Sequence, residues 1–328
     1  MSELRDITGV FVANATDHEG GTGCTVICCP SGATGGVDVR GGAPATRETD
    51  LLRPEETVDV LHAVVLSGGS AFGLASACGV ADELSRRDIG LDVGVCKVPI
   101  VSSACVFDLA CGDASSRPTS DMGADACARA LDGSDELEHG NVGAGTGCTV
   151  GKLAGMDRAM KGGLGTHVES AGGIVCQAFS AVNACGNVRD PRSGTFVAGM
   201  RETPDSEVIV DEVDAMLAMA TRMPLDGPAP RTNTTISCIV TNAALAKAQA
   251  TKVAQMSADA YAHAICPTHT TNDGDTVFVM ATGEMDAPVD LVGVLATRAL
   301  ELAIVDGCLS ARGAYGIPGA ARDKGNES

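Results

Sequence analysis

Residues 223–231, Met223-Pro224-Leu225-Asp226-Gly227-Pro228-Ala229-Pro230-Arg231, are followed almost at once by Thr234-Thr235-Ile236-Ser237-Cys238-Ile239-Val240. No other stretch constrains the fold as much. Proline fixes φ and removes a backbone donor, so the first segment is predicted to run extended and exposed. The second is β-branched and apolar, which predicts a buried strand. The chain therefore passes from linker to core within a few residues, and the Asn233–Thr234 bond lies at the junction.

The elements on either side follow from periodicity and turn residues. Upstream, residues 206–221 are predicted helical, with Val208, Val210, Val213, Met216 and Leu217 among the apolar positions. Downstream, Asn242 suits an N-cap for a helix running to about Ile265. On that helix Val253, Met256, Ala260 and Ala264 share one face, and Lys252, Gln255 and Asp259 another. A strand over 275–281 and a helix over 289–305 complete a strand, helix, strand, helix order behind the linker. In the first half, strands are predicted over 25–29 and 36–39, joined through Pro30-Ser31-Gly32, and over 63–66. Helices are predicted over 71–86 and 120–131, with an acidic loop over 132–138. Sheet segments are predicted over 141–150 and 172–184. No internal repeat is present, and residues 1–328 are read as a single domain.

Aromatic residues make up 2% of the chain and Trp is absent, so the core must be built from Ala, Val, Leu, Ile, Met and Cys, with 41 glycines allowing close backbone approach. Few rings and a net charge of −19 argue against nucleic acid as a partner, because phosphate backbones need a basic footprint. The fourteen cysteines contain no Cys-x-x-Cys pair, and the six histidines form no His-Glu-x-x-His. No metal or cofactor is therefore expected, and buried, reduced thiols imply a reducing compartment. The start lacks a basic region followed by an apolar run, and His62 with Ser67-Gly68-Gly69-Ser70 interrupts the uncharged stretch 61–81. A soluble, cytoplasmic protein without a membrane partner is expected.

The junction also carries chemistry. A hydroxyl at the start of a core strand can attack the carbonyl before it when strain and an oxyanion site assist. Hydrolysis of the resulting ester leaves Thr234 with a free α-amine beside its own hydroxyl. That amine has a reference pKa of about 7.7–8, suited to a general base near neutral pH, and threonine activated by its own N-terminal amine is an established nucleophile. Taken alone, Asn233-Thr234 is a common pair and reads as a strand start after a loop.

The surrounding blocks decide the matter. Thr22-Gly23-Cys24-Thr25-Val26, Asp38-Val39-Arg40-Gly41-Gly42-Ala43-Pro44, Leu66-Ser67-Gly68-Gly69-Ser70-Ala71-Phe72-Gly73-Leu74 and Gly140-Asn141-Val142-Gly143-Ala144-Gly145-Thr146-Gly147 occur in order. They are followed by Lys161-Gly162-Gly163-Leu164-Gly165-Thr166, Asn233-Thr234-Thr235-Ile236 and Asp273-Gly274-Asp275-Thr276-Val277. Over nearly its whole length the chain resembles the DmpA-like family of L-aminopeptidases/D-amidases, which includes β-peptidyl aminopeptidases and nylon-oligomer hydrolases. The resemblance implies an α+β fold, a four-layer α-β-β-α sandwich like that of N-terminal-nucleophile hydrolases with different connectivity. It implies self-cleavage between Asn233 and Thr234 into chains 1–233 and 234–328, with Thr234 as nucleophile. Asn183 matches an oxyanion-hole asparagine and Lys161 a lysine near the nucleophile. Asp273 and Asp275 match an acidic pair that orients the nucleophile or holds a substrate ammonium. It further implies a small peptide or amide substrate and a homotetramer of processed protomers. Read without the resemblance, Lys161 is a surface lysine, Asn183 a turn or edge group and Asp273-Gly274-Asp275 a hairpin turn.

Two departures bear on the pocket: Cys238 stands beside the nucleophile strand, and Asn242 stands where many relatives carry Asp. Rival motifs fail on spacing. Gly143-Ala144-Gly145-Thr146-Gly147 is wrong for a dinucleotide loop, and Gly69-Ser70-Ala71-Phe72-Gly73 is not Gly-x-Ser-x-Gly. An acyltransferase resembling ornithine acetyltransferases lacks its Ala-Thr-Met-Leu motif here. An uncleaved, non-catalytic relative is disfavoured by Thr234, Lys161 and Asn183 together.

Overall fold

The computed structural model describes residue 4 and residues 6–133, 136–220 and 233–321. The Pro-rich segment 223–231 lies outside the described residues. Among those described, nine strands form one continuous sheet: β1 (Phe11–Asp17), β2 (Thr22–Val39), β3 (Thr46–Arg47), β4 (Leu61–Ser67), β5 (Val101–Cys105), β6 (Leu164–Ala171), β7 (Ile174–Asn183), β8 (Thr234–Ala244) and β9 (Thr276–Asp286). The order is β6-β7-β8-β9-β2-β4-β5-β3, with β1 pairing on β2. The β8–β9 and β4–β5 pairs are parallel, and the rest are antiparallel. The helices are α1 (Ala75–Arg86), α2 (Ser120–Asp132), α3 (Glu212–Ala220), α4 (Lys247–Ser257), α5 (Asp259–Ala264) and α6 (Val289–Leu309).

Strand β2 belongs to two halves of this sheet. Its first part, from Thr22 to Cys28, pairs with β1 and β4; its last part, from Thr34 to Val39, pairs with β9. The sequence signal Pro30-Ser31-Gly32 therefore does not separate two strands. It makes an irregularity between Cys28 and Ala33, with Gly32 at φ 83°, where one strand leaves one half and enters the other.

Alternation along the strands sorts side chains into three cores. Ile27, Cys29, Val64, Leu66, Phe179, Ala181, Ile236, Cys238, Phe278 and Met280 fill the space between the two halves. Cys24, Val26, Cys28, Ala63 and Val65 point the other way, against Ala77, Val80 and Leu84 of α1 and Ala126 and Cys127 of α2. Ala178, Ile239, Val277 and Val279 meet α4, α5 and α6 on the remaining face. Helix, sheet, sheet, helix is the four-layer arrangement that the family resemblance implies.

Small residues set the layer spacing. A Cβ on Gly36 would lie 2.4 Å from the backbone of Ala250 in α4, and one on Gly165 1.9 Å from that of Ala303 in α6. Cysteines serve as compact core residues: ten of fourteen are buried, and burial pushes the Cys24 and Cys148 thiols up to about 12.

Four further expectations need correction. The helix over 71–86 starts at Ala75, after a 3-10 turn over Ser70–Leu74, because Gly73 passes so close to Gly68 that a Cβ would sit 1.8 Å from its carbonyl oxygen. Residues 141–150 are mostly not sheet. Gly143–Gly145 is a 3-10 turn pressed onto Asn14 and Thr25, and only Thr149–Val150 pairs, with Met160–Lys161. Asn242 lies inside β8 and is no N-cap; its side chain accepts from Val175 N and donates to Gly173 O, tying β8 to β7. The helix begins at Lys247, where Gln249 Oε1 accepts from Ala246 N, and breaks at Ala258. Helix α3 starts only at Glu212, capped by Asp211 Oδ1 accepting from Val213 N and Asp214 N.

Candidate active site

The register of β7 against β8 pairs Asn183 with Thr234. Phe179 and Ala181 on one strand, and Ile236 and Cys238 on the other, point into the core between the sheet halves. Asn183 and Thr234 are in phase with them and face the same interior at the sheet's end. Thr234 is 5% exposed and Asn183 is fully buried, so neither is an edge group.

The hydroxyl of Thr234 donates to the carbonyl oxygen of Asn233, the group before it in the chain. The same oxygen accepts from Gly274 N at 3.2 Å. Asn233 and Asp273 form a parallel bridge three residues before the first β8–β9 pair, Ile236 with Thr276, and in the same register. Gly274 passes so near that a Cβ there would lie 2.9 Å from Thr234 Oγ1.

The two aspartates take different surroundings. Asp275 is saturated: Oδ1 accepts from Thr235 N at 2.8 Å, and Oδ2 accepts from Thr268 Oγ1, His269 N and His269 Nδ1 at 2.9–3.1 Å. It thus grips the residue next to Thr234 from the helix side of the sheet. Asp273 Oδ2 accepts from Thr270 N at 2.6 Å, while its Oδ1 is buried without a partner among the described residues. Burial first, and the neighbouring Asp275 charge second, raise the Asp273 carboxyl above its usual range.

The ammonium that reaches Asn183 belongs to Lys152. Its Nζ donates to the backbone oxygen of Asn183 at 2.9 Å and to Oδ1 at 3.1 Å, and Oδ1 also accepts from Thr149 N at 3.0 Å. With its oxygen so fixed, the Asn183 amide points its Nδ2 the other way, toward Phe107 O at 2.9 Å. Burial pulls Lys152 down to about 8, against the opposing pull of acidic neighbours that include Asp273 and Glu212. Lys161 is equally buried, which removes the surface-lysine reading, but it holds a different place. Its ammonium donates to Thr146 O at 2.9 Å, lies 3.8 Å from Cys111 Sγ and faces the Tyr315 ring. Among the described residues none of its hydrogen bonds goes to Thr234, Asn183 or either aspartate.

Two residues of this cluster escaped the sequence reading. Lys152 follows the short apolar run Cys148-Thr149-Val150, and a lone lysine closing such a run was the available signal. Glu212 opens α3, only 1% exposed; its Oε1 accepts from Leu153 N at 2.8 Å and its Oε2 has no partner among the described residues. Burial raises it to about 7. A helix-start acid is expected in solvent, so nothing in the sequence marked it.

The site thus offers a hydroxyl on a carbonyl, amide donors around it, and buried charges of both signs. Known proteins similar to this chain are amide and peptide hydrolases by name. The profile of peptidase family S58 matches residues 2–321. An uncharacterized aminopeptidase of Mycobacterium bovis is 40% identical over 97% of this chain and 96% of its own. The 6-aminohexanoate-oligomer endohydrolase of Paenarthrobacter ureafaciens is 33% identical over 86% of this chain and 76% of its own. The L-aminopeptidase D-Ala-esterase/amidase of Ochrobactrum anthropi, described as a variant of the Ntn hydrolase fold, superposes with a TM-score of 0.65 at 18% identity, covering 98% of this chain and 91% of that one. A β-aminopeptidase from Burkholderia sp. gives 0.66 at 20%, covering 98% and 92%.

Proposed function

This chain belongs to peptidase family S58, the DmpA-like family, and on that premise we propose that it is a hydrolase that cuts itself before Thr234 and then uses Thr234 as its nucleophile. The substrate in this reading is a short peptide or amide with a free amino group. The observation that carries it is the Thr234 hydroxyl lying on the Asn233 carbonyl, side by side with Asn183.

In this mechanism the free α-amine of Thr234 takes the hydroxyl proton, and Oγ1 adds to the substrate carbonyl. Asn183 Nδ2 donates to the developing oxyanion, an interaction worth about 2.7–4 kcal/mol where one such donor is lost. Lys152 holds the Asn183 amide in place and, as a cation, favours the neutral, basic form of the Thr234 amine. Asp275 locks the Thr235 peptide, and Asp273 carries the unpaired oxygen that takes a substrate ammonium. The amine leaves, and water releases the acyl group from Thr234.

N-acetylation of a good substrate tests this reading, because it removes the ammonium and leaves the scissile bond intact. A loss of at least tenfold in kcat/KM, about 1.4 kcal/mol of transition-state stabilisation, is expected. Equal rates favour the second reading, an internal amidase on longer oligomers, which the endohydrolase relative suggests. Transfer to an added amine acceptor in place of hydrolysis points instead to an acyltransferase.

The processed protein is further proposed to be a cytoplasmic homotetramer. The tetramer rests on the family resemblance. The compartment rests on fourteen cysteines with no disulfide among the described residues. No helix there is long and apolar enough to cross a membrane.

A further inference from the structure

We propose that self-cleavage and substrate turnover use different oxyanion donors: the Asp273–Gly274 peptide group serves the first, and Asn183 serves the second. The inference rests on the self-cleaving reading above and adds to it a division of labour.

The Asp273–Gly274 peptide is held on both sides. Its N–H donates to the Asn233 oxygen at 3.2 Å, while its C=O accepts from Ala43 N at 2.8 Å. The next carbonyl, Gly274 O, accepts from Thr276 Oγ1 at 2.9 Å, and Asp275 O accepts from Arg40 N at 3.0 Å. The N–H is therefore aimed before any reaction, which is the condition for strong transition-state stabilisation. Asn183, by contrast, must release Phe107 O before its Nδ2 can serve an oxyanion, an exchange that falls to the arrival of substrate. Its Oδ1 accepts from Thr149 N and Lys152 Nζ, and its Nδ2 donates to Phe107 O.

The absence of a side chain at position 274 has the same logic. A Cβ there would lie 2.9 Å from Thr234 Oγ1, 3.1 Å from Thr234 Cγ2 and 3.1 Å from Ala43 O. Glycine lets this peptide approach the attacking hydroxyl and the attacked carbonyl together without crowding the Thr234 side chain.

The step balances as follows. Thr234 Oγ1 bonds to the Asn233 carbonyl carbon, and the carbonyl oxygen becomes an oxyanion facing Gly274 N–H. The carbon–nitrogen bond then breaks, and the nitrogen takes the hydroxyl proton. This leaves an Asn233 ester on Thr234 and a free α-amine. Water cleaves the ester to an Asn233 carboxylate and restores the hydroxyl.

Wild type, Asn183→Ala, Gly274→Ala and Gly274→Pro, made by cell-free synthesis, test the assignment. Self-cleavage is followed by intact mass, turnover by amide hydrolysis, and folding by the melting transition. Asn183→Ala is expected to cleave itself within about threefold of wild type yet turn over roughly a hundred- to a thousand-fold more slowly. Gly274→Pro, which removes the N–H, is expected to stay whole at least a hundredfold longer. Gly274→Ala, which keeps the N–H but crowds the hydroxyl, falls between. A folded Asn183→Ala chain that stays uncut beside a cleaved wild type overturns the assignment, as does Gly274→Pro cleaving at the wild-type rate. If Gly274→Pro does not fold, the Asn183→Ala arm decides alone. A wild type that never cleaves sinks the self-cleaving reading itself.

Discussion

Glu212→Gln is expected to stabilise the protein in mild alkali and not in mild acid. Glu212 is 1% exposed, and burial raises its carboxyl from the usual 4.5 to about 7. The folded chain therefore holds this proton more tightly than the unfolded chain. The group leaves stability intact below about pH 4.5 and withdraws it progressively as pH rises through about 7. At ~1.4 kcal/mol per pH unit between the two values, the withdrawal amounts to about 3 kcal/mol. Glutamine keeps an oxygen for Leu153 N and never ionises. The value of about 7 already contains the attraction to Lys152, so the net gain at pH 8.5 is roughly 2–3 kcal/mol, and close to nothing at pH 4.5. Urea midpoints at the two pH values measure it, on a Thr234→Ala background that the proposed self-cleavage leaves in one piece. A Gln-minus-Glu difference that is the same at both pH values refutes the reasoning, because the effect then has nothing to do with ionisation.

The remaining expectations concern turnover. Lys152→Met moves the acidic limb of the pH–rate profile upward, because losing a positive neighbour raises the Thr234 amine's pKa; Lys161→Ala, with its ammonium on Thr146, moves it less. The reverse ranking in folded, processed variants contradicts the placement of Lys152. Asp275→Asn slows free and N-acetylated substrates together, since its bonds hold Thr235 and His269, whereas Asp273→Asn slows chiefly the free-amine substrate. Paired kcat/KM values on the two substrates read this directly, and loss of discrimination in Asp275→Asn instead reassigns the ammonium partner.

Where a run is apolar enough to be buried whichever way its side chains point, the sequence made it legible. The run over 63–66, the strand from Thr234 and the helix from Val289 all stand close to where patterning puts them. Patterning fails where glycine or polar chemistry overrides it. Pro30-Ser31-Gly32 has the composition of a turn, yet tertiary pairing on both sides carries β2 straight through it. Asn242 has an N-cap's chemistry, but two cross-strand hydrogen bonds use it inside β8. The site divides in the same way. Thr234, Asn183, Asp273 and Asp275 stand in motifs that a family resemblance can reach. Lys152 and Glu212 are functional candidates only because the fold buries them. The Gly274 donor is a backbone group, whose orientation no residue letter encodes.

The central claim is that the bond before Thr234 is cut by Thr234 itself. Intact mass spectrometry of purified wild type and Thr234→Ala under identical conditions tests it most directly. Wild type is expected as two chains of 233 and 95 residues, the second beginning at Thr234, and Thr234→Ala as one chain of 328. A wild type that stays whole while it hydrolyses amides, or a Thr234→Ala chain cut at the same bond, contradicts the account.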